Sequence, residues 1–419
     1  MLTAFTLIAA LAAGAPPASE PAPLVWSEVL NQVLRRNQDL AAYASDREAA
    51  SERARAAAAY PDPSIGFAIR SLPVPSFSFT QDEMTMKEVL LKQRLPWFGK
   101  RDLRREAGDK VAEATGAMAD SQRLALAEAT ADGYAELWLV LSSRAVLEEQ
   151  TGALERLVAL TRARFAAGRQ SQADVIRAEA ELERLRLPAF ELREREVAAR
   201  AVLAALLSQQ EPVGGKPALP DLPDLPSEAA LVADLESHPE LQVLTRQEEQ
   251  ARLEARLAQR EKWPDPEVGL AYGFRTNHPD MVGAEVMIPI PVFAASNQDR
   301  LAAAARAEAE SASRRRVALR ESLASQLRTA RAASIREQER LDLYEQELLP
   351  RARQTVSAAI GAYQSGGVDF LTLLDAEVQR FGQELEALSS RAGLLRARGR
   401  LARASGSLST LFAMNGGAR

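Results

Sequence analysis

Two copies of one sequence unit follow each other along the chain, and this internal repetition limits the possible folds more than any other feature. The repeated blocks keep the same order and similar spacing in both copies. The stretch from NQDL to YPDPSIG (37–66) in the first copy corresponds to the stretch from HPEL to WPDPEVG (238–269) in the second. LPWF (95–98) corresponds to IPVF (290–293), and FAAG (165–168) corresponds to YQSG (363–366). A duplicated unit of about 200 residues predicts two halves that share one architecture.

Each unit is predicted to run helix, two strands, long helix, turn, long helix. In the first unit we expect a helix that begins at Ser27, as its N-cap, and ends at Tyr60, because Pro61 cannot continue it. The second unit repeats this pattern from Ser227 to Trp263, where a proline again follows.

The longest predicted helices have no proline in their interiors. Residues 100–164 contain none, and Leu, Val and Ala recur there at three- and four-residue spacing. At about 1.5 Å per residue this helix would approach about 100 Å. Similarly long helices are predicted for residues 297–349 and 351–403, with a kink between them at Pro350. Helices of this length need neighbours along their whole length, and their many alanines permit close packing.

The domain boundaries follow from the repeats and from a proline-rich connector (EPVGGKPALPDLPDLP) that cannot be helical. The first unit is predicted to contain a β-hairpin at about 63–95 and a helical hairpin at about 99–208, and the second a β-hairpin at about 266–291 and a helical hairpin at about 297–405. The predicted divisions are a signal peptide (1–15), the first repeat (16–210), the connector (211–226), the second repeat (227–412) and a tail (413–419).

The N-terminal fifteen residues, MLTAFTLIAALAAGA, form a short apolar run that ends in Ala-Gly-Ala. This pattern is typical of a secretory signal with its cleavage site, although no Lys or Arg precedes the run. The run is too short to span a membrane as a helix. We therefore expect an exported protein without a transmembrane helix.

The composition argues against an enzyme and against a cofactor. Hydrophobic residues make up 47% of the chain but aromatic residues only 5%, so the apolar content is mostly helix-forming Ala and Leu. The absence of Cys and the presence of only two His exclude disulfides and thiol catalysis and leave little for a metal site or a Ser-His-Asp site. A net charge of −5 from mixed charges argues against nucleic acid as a partner.

The predicted strands have one apolar and one small or charged face. Val268, Leu270, Tyr272 and Phe274 alternate with small or charged residues, as do Val282 to Ile290 and, in the first unit, Ile65 to Ile69. The segment 83–95 alternates poorly, because Lys87 and Lys92 fall on opposite faces. The alternation fits half of a soluble sandwich as well as a membrane β-barrel.

The surroundings of the strands favour a barrel shared between chains. Four strands cannot close a barrel, and open edges are not tolerated in lipid. A dimer would supply about eight strands and a trimer about twelve, and composition does not choose between them. Trp97, Phe98 and Phe293 follow the strand ends directly, where an aromatic interfacial belt would lie.

The duplicated unit, the two β-hairpins, the segment QRLPWFGK (93–100) and the two glycine-centred turns together resemble the TolC family of outer membrane factors. The resemblance covers about residues 24–412. It implies a mainly α homotrimer with a shared twelve-stranded barrel in outer membrane lipid and a helical tunnel across the periplasm. Residues 211–226 and the chain ends would form an equatorial region. It also implies a passive duct, which a periplasmic adaptor docks to an inner-membrane RND-type pump.

The resemblance also assigns sites to residues of this chain. The turns would be the periplasmic tips that meet the adaptor, with Gly168, Arg169, Gln170, Gly366, Gly367 and Val368 as contacts. Asp375 would form an acidic pore constriction. The family often has a second Asp three positions earlier, and this chain has Thr372 there. Asp174 and Arg177 would pair across helices as a latch at the tip. The segment PWFGK (96–100) is most similar to members that work with heavy-metal efflux pumps.

Three functions remain as hypotheses. The first is an efflux duct, whether for heavy-metal cations, for drugs or for type I secretion. The second is a periplasmic or cytosolic helical scaffold without a pore. The third is an enzyme, which the absence of any nucleophile–base or metal-ligand grouping in the sequence disfavours.

Overall fold

The computed structural model describes residues 23–411, so the predicted signal peptide (1–15) and tail (413–419) lie outside the described residues. The first unit contains two short helices, a β-hairpin, one very long helix and two further helices. In chain order its elements are β1 (Leu24–Val25), α1 (Trp26–Arg36), α2 (Gln38–Ala57), β2 (Ser64–Arg70), β3 (Met86–Arg94), α3 (Lys100–Ala166), α4 (Gln172–Arg184) and α5 (Arg186–Leu206).

The second unit repeats this order. Its elements are β4 (Pro217–Ala218), α6 (Glu228–Ala233), α7 (Pro239–Arg260), β5 (Glu267–Phe274), β6 (Met281–Met287), α8 (Gln298–Leu343), α9 (Leu349–Ser365) and α10 (Phe370–Ser405). Just before Pro350, where a kink is predicted, a π-helical turn, Tyr344–Leu348, separates α8 from α9. Proline has no N–H with which to continue the regular helical ladder, which explains the irregular turn before it.

The predicted long helix is confirmed as α3, which has 67 residues. It packs against α2, α7, α5 and α10, so that neighbours cover it along its length. Small residues allow these helices to approach closely: a Cβ added at Gly108 would lie 2.6 Å from the Cβ of Ala54 on α2. No helix in residues 23–411 combines the length and apolarity that a bilayer crossing requires.

The helix predicted from Ser27 to Tyr60 is wrong in two details. It begins at Trp26 without a side-chain cap, and it is broken at Asn37, whose backbone is extended and whose side chain accepts a hydrogen bond from the Asp39 N–H at 3.0 Å. The predicted ending is closer, since α2 ends at Ala57, four positions before Pro61. The break arises because an Asn side chain satisfies a free N–H at the start of a new helix.

The second unit breaks at the matching position. Ser227 is the predicted N-cap, accepting from the Ala230 N–H, but the helix that follows is short and a new one begins after His238. His238 Nδ1 accepts from the Glu240 N–H at 3.2 Å and Nε2 lies 2.9 Å from the Arg403 carbonyl oxygen, so one neutral tautomer satisfies both contacts. The repeated NQDL and HPEL blocks are therefore helix starts.

The two hairpins join in one antiparallel sheet with the order β2-β3-β5-β6. The central contact pairs β3 with β5, for example Leu91 with Leu270. The edge strands β2 and β6 have no further partner among the described residues. β6 ends at Met287, so the predicted extension to Ile290 is wrong; Pro289 and Pro291 follow, and proline cannot donate to a strand ladder.

The connector packs against residues 24 and 25. β1 and β4 form a parallel pair, and the Tyr134 hydroxyl on α3 lies 2.8 Å from the carbonyl oxygens of both Leu24 and Ala218. Burial raises the pKa of Tyr134 to about 12, which keeps its hydroxyl a hydrogen-bond donor. Trp26 lies in the same core and donates to the Leu411 carbonyl oxygen. The connector is non-helical, as predicted.

Candidate functional site

The sheet has one continuous apolar face. Residues directly opposite each other in neighbouring strands point to the same side, so the strand register assigns every side chain to a face. The apolar face crosses all four strands and contains Ile65, Phe67, Ile69, Val89, Leu91, Val268, Leu270, Tyr272, Phe274, Val282, Ala284 and Val286. Most of these side chains are exposed, and Phe67 is 82% exposed. Nothing in the described chain covers this face.

The opposite face carries small residues and ion pairs together with a few larger apolar side chains, among them Leu90 and Met287. Lys92 Nζ lies 2.7 Å from Glu285 Oε1 and 3.6 Å from Glu267 Oε1, and Arg70 pairs with Glu88. The Arg70–Glu88 and Lys92–Glu267 pairs link neighbouring strands, whereas the Lys92–Glu285 pair reaches from β3 across β5 to β6. The sheet therefore separates an apolar side from a charged side, as the alternation of β5 and β6 predicts.

Lys87 explains why β3 alternates poorly in the sequence. Its register places it on the apolar face, opposite Ile69 and Phe274. It lies at the second residue of β3, near the loop, and its ammonium is 4.7 Å from the centre of the Phe79 ring. An end position and an aromatic partner allow one cation on this face, where Gln93 is the other polar residue of β3.

The junction between the sheet and the helices is held by a buried lysine. Lys100, the first residue of α3, is 1% exposed, and its Nζ donates to Glu261 Oε2, the Trp263 carbonyl oxygen and Asp265 Oδ1, each at 2.8 Å. Asp265 also accepts the Trp97 N–H at 2.8 Å. Burial raises the pKa of Asp265, but the hydrogen bonds from Lys100 and Trp97 outweigh it and the pKa is lowered overall. The junction thus ties the first repeat to the second.

The three predicted membrane-interface residues differ in their surroundings. Trp97 is half-buried and stacks on Trp263 with ring centres 5.5 Å apart. Phe98 and Phe293 are 83% and 75% exposed. All three follow the strands directly, at one end of the sheet.

The two glycine turns lie side by side. Gly168 and Gly366 both have left-handed backbones, with φ of +70° and +81°, as the helix reversals predict. Two contacts from Tyr363 join the turns: its hydroxyl donates to Gln170 Oε1 at 3.1 Å, and its ring centre lies 4.1 Å from the Arg164 guanidinium. The sequence did not predict this link, because the partners lie about 200 positions apart.

The six residues assigned to adaptor docking are not equally accessible. Arg169 and Gly367 are exposed, as are Gly168 and Gly366. Gln170 is half-buried by its contact with Tyr363. Val368 is half-buried because it packs against the apolar core beneath the turns.

The residues assigned to the constriction lie at the start of α10. Thr372 and Asp375 are both exposed and one helical turn apart. The Thr372 hydroxyl donates to Asp369 Oδ1 at 2.6 Å, and this bond, with that of the Thr372 N–H, lowers the pKa of Asp369. Asp375 forms no ion pair in the described part of the chain. An exposed carboxylate at this position is available to ions or to other chains.

The two latch residues do not pair within one chain. Asp174 accepts hydrogen bonds from Gln170 Nε2 and from the Ser171 hydroxyl, each at 2.7 Å. Arg177 lies on the same helix, α4, and is exposed. The predicted contact with a different helix therefore requires another copy of the chain and stays a prediction.

Sequence reasoning missed the Lys100 junction and the Arg164–Tyr363 link. Asp265 belongs to a repeated block, WPDPEVG, and that recurrence is a signal that could have found it, whereas Lys100 follows the repeated LPWF block and has no counterpart in the second copy. In residues 23–411 no group of three or more His, Asp or Glu side chains is arranged to hold a metal ion.

Comparison with known proteins agrees with this architecture. Residues 29–209 match the family model described as outer membrane efflux protein. A search of curated protein sequences found no significant match.

Several solved structures have the same fold. The outer-membrane channel OprN is 20% identical to this chain. The match covers 91% of this chain and 90% of the OprN chain, with a TM-score of 0.77. CusC is 17% identical, and the match covers 91% of this chain and 92% of CusC with a TM-score of 0.78. VceC from Vibrio cholerae is also 17% identical, and the match covers 91% of this chain and 96% of VceC with a TM-score of 0.75. At these identities the similarity establishes the fold.

Proposed function

We propose that three copies of this chain, whose residues 29–209 match the family model described as outer membrane efflux protein, together form an outer-membrane exit duct. The β-sheets of the three copies make one twelve-stranded barrel in outer membrane lipid, and their long helices make a tunnel through the periplasm. The duct is passive and carries out no enzymatic reaction.

The observation that carries this proposal is the two-faced sheet with its open edges. An apolar face that spans four strands and remains uncovered matches the lipid-facing surface of a membrane barrel, and the opposite face, with Lys92, Glu267 and Glu285, matches a water-filled interior. The unpaired edges of β2 and β6 must find partners before the sheet can enter lipid. Pairing between copies supplies those partners.

The helix turns provide the contact with the rest of the export system. Gly168, Arg169, Gln170, Gly366, Gly367 and Val368 form the tips that a periplasmic adaptor would bind, at the far end of α3 from the sheet. The adaptor connects the duct to an inner-membrane RND-type pump, which selects the cargo. The PWFGK segment (96–100) favours a heavy-metal pump, whereas a drug pump and a type I secretion system would use the same fold.

The tip also controls passage. Three copies of Asp375 around one axis would form a cation-attracting constriction, less acidic than a double ring because Thr372 stands one turn earlier. Asp174 of one copy and Arg177 of another would hold the closed state.

The Asp375 proposal predicts a change in ion selectivity. In planar bilayers we expect Asp375→Asn to reduce the preference for cations over anions, because it removes the three charges of the ring. Asp375→Glu, which keeps the charge, should retain the preference. Equal selectivity of the wild type and Asp375→Asn would show that the ring does not act on ions.

Fractionation tests the duct itself. The protein should sediment with outer membranes, require detergent for extraction and run as an oligomer that separates into single chains on heating. Recovery from the periplasm as a monomer without detergent would contradict the duct and favour the alternative of a helical scaffold without a pore.

A further inference from the structure

A large cavity lies under the connector, away from the sheet and from the helix turns. Its volume is about 940 Å³, and it is enclosed by residues 217–225, by Trp138 on α3 and by parts of α8 and α10. Its floor is formed by side chains that the protein buries, which are Ser334, Leu341, Leu394, Leu395 and Arg398. Asp221, Asp224 and Glu339, which also line it, are exposed and so lie at its mouth.

Arg398 is the one charged group on this floor, and residues 23–411 give it neither a hydrogen bond nor an ion pair. The residue is 5% exposed, and its Nε and Nη1 are fully enclosed without a hydrogen bond. Burial lowers the pKa of its guanidinium, while the charge of Asp224 raises it without a contact between the two. Arg391, on the same wall of the cavity, is exposed and bonds to Glu345 at 2.5 Å.

An unpartnered guanidinium in this position is costly for the protein. A buried charge without a counter-charge or hydrogen bonds destabilises a fold, because the charge loses its hydration without compensation. The five donors of a guanidinium form a planar fork that matches a carboxylate with two parallel bonds. A carboxylate in the cavity would therefore satisfy Arg398.

The rest of the cavity restricts which carboxylates fit. Trp138, Leu394 and Leu395 give it apolar walls, which favour a ligand with an apolar body. The carboxylates of Asp221, Asp224 and Glu339 at the mouth repel an anion with several charges. The volume leaves room for more than an inorganic ion.

We propose that this cavity binds a monocarboxylate with an apolar body, whose carboxylate pairs with Arg398 on the floor. The site lies under the equatorial connector, and its occupation would hold the connector against α8 and α10. The inference rests on the cavity alone and does not depend on the duct function.

Binding to the purified full-length oligomer tests the site, with 3-phenylpropionate as the probe. In a chloride buffer we expect saturable binding by calorimetry and a higher temperature of thermal unfolding. Neutral 3-phenylpropionamide should bind about tenfold more weakly or not at all, because it lacks the charge that Arg398 requires. Citrate should also bind more weakly, because the mouth repels its extra charges.

Two arginine variants locate the effect. Arg398→Met keeps the length of the side chain without its charge, and we expect it to lose the response to 3-phenylpropionate. Without the probe this variant should be at least as stable as the wild type, since it removes an uncompensated charge. Arg391→Met, the matched control on the same wall, should respond like the wild type.

Three results would overturn the proposal. One is the absence of probe binding to the wild-type oligomer, which would mean that another copy or water fills the cavity. Another is equal binding of the acid and the amide, a comparison that needs no variant. The third is that Asp224→Asn lowers the stability of the wild type but not that of the Arg398→Met variant. That result would show that Asp224 is the partner of Arg398.

Discussion

Lys100 shows how one residue can connect two repeats. Its ammonium has three hydrogen-bond acceptors, all from the second unit, and it is among the most enclosed charged groups of the described chain. Three donors with three acceptors leave no unsatisfied bond, which is the condition under which a buried cation is tolerated. The lysine lies where the sheet meets the helices, so it fixes the position of one relative to the other.

Replacing Lys100 should destabilise the protein measurably. We expect Lys100→Met to cost about 2 kcal/mol, because Asp265 and Glu261 would lose their common partner while remaining partly exposed to water. Thermal unfolding of the detergent-solubilised oligomer measures the change. Lys110→Met is the matched control: its side chain is 26% exposed and it pairs with Glu113 and Glu249, so its loss should cost less than about 1 kcal/mol.

The same variant should alter the dependence of stability on pH. The pKa of Asp265 is lower in the folded protein than its ordinary value of 3.8, so its contribution is present above that value and is lost as the pH falls through the folded pKa. The wild type should therefore lose stability below about pH 4. A parallel loss of equal size in Lys100→Met would contradict this role of the lysine.

The helix reversals show how an element ends by backbone geometry. At both turns an N–H reaches back five residues, from Arg169 to the Arg164 carbonyl oxygen at 2.9 Å and from Gly367 to that of Ala362 at 2.8 Å. This pattern requires a left-handed residue, which glycine adopts without steric cost. A side-chain cap then starts the returning helix, Ser171 for α4 and Asp369 for α10.

The turn glycines should be sensitive to alanine for a backbone reason alone. We expect Gly168→Ala and Gly366→Ala each to destabilise the chain by about 1 kcal/mol, because no other atom lies within 4 Å of the added Cβ and only the left-handed φ opposes it. Denaturant unfolding measures this. Gly361→Ala, in the interior of α9 with equal space, should be neutral or stabilising. The opposite ranking would mean that the turns relax to another conformation.

At the scale of the whole molecule, the uncovered sheet at one end of the long helices is the feature that points to an assembly. Each hairpin leaves one edge open, β2 on one side and β6 on the other. Their apolar side chains have no covering layer in the described chain, since the helices lead away from the sheet. Both requirements are met when several copies share one barrel in lipid.

Two lysine variants on one strand separate the faces of the sheet. Phe67→Lys places a charge on the apolar face and should cost about 2–4 kcal/mol in lipid, so that less protein is recovered in outer membranes. Ala68→Lys, the next residue, places the same charge on the face that already holds Arg70 and Glu88 and should be tolerated. Equal loss from both variants, measured in membrane fractions, would argue against a lipid-facing side.

The order of helices, hairpins and turns could be predicted because its signals are local. Proline-free periodicity predicts α3, alternation predicts β5, and glycine predicts the reversals at Gly168 and Gly366. The break at Asn37 was missed although its cap is also local, since Asn occurs within helical patterns as well as at their starts. Pairing of the two hairpins joins residues far apart in the chain and needed the structure.

Tertiary packing alone determined which charges are buried and which lack partners. Lys100 meets Asp265 across 165 positions, and Arg398 is enclosed by a connector that lies far before it in the chain. Neither residue differs in the sequence from the many exposed Lys and Arg around it. Periodicity reports only which face of a helix is apolar, whereas burial of a charge depends on which distant segments pack over it.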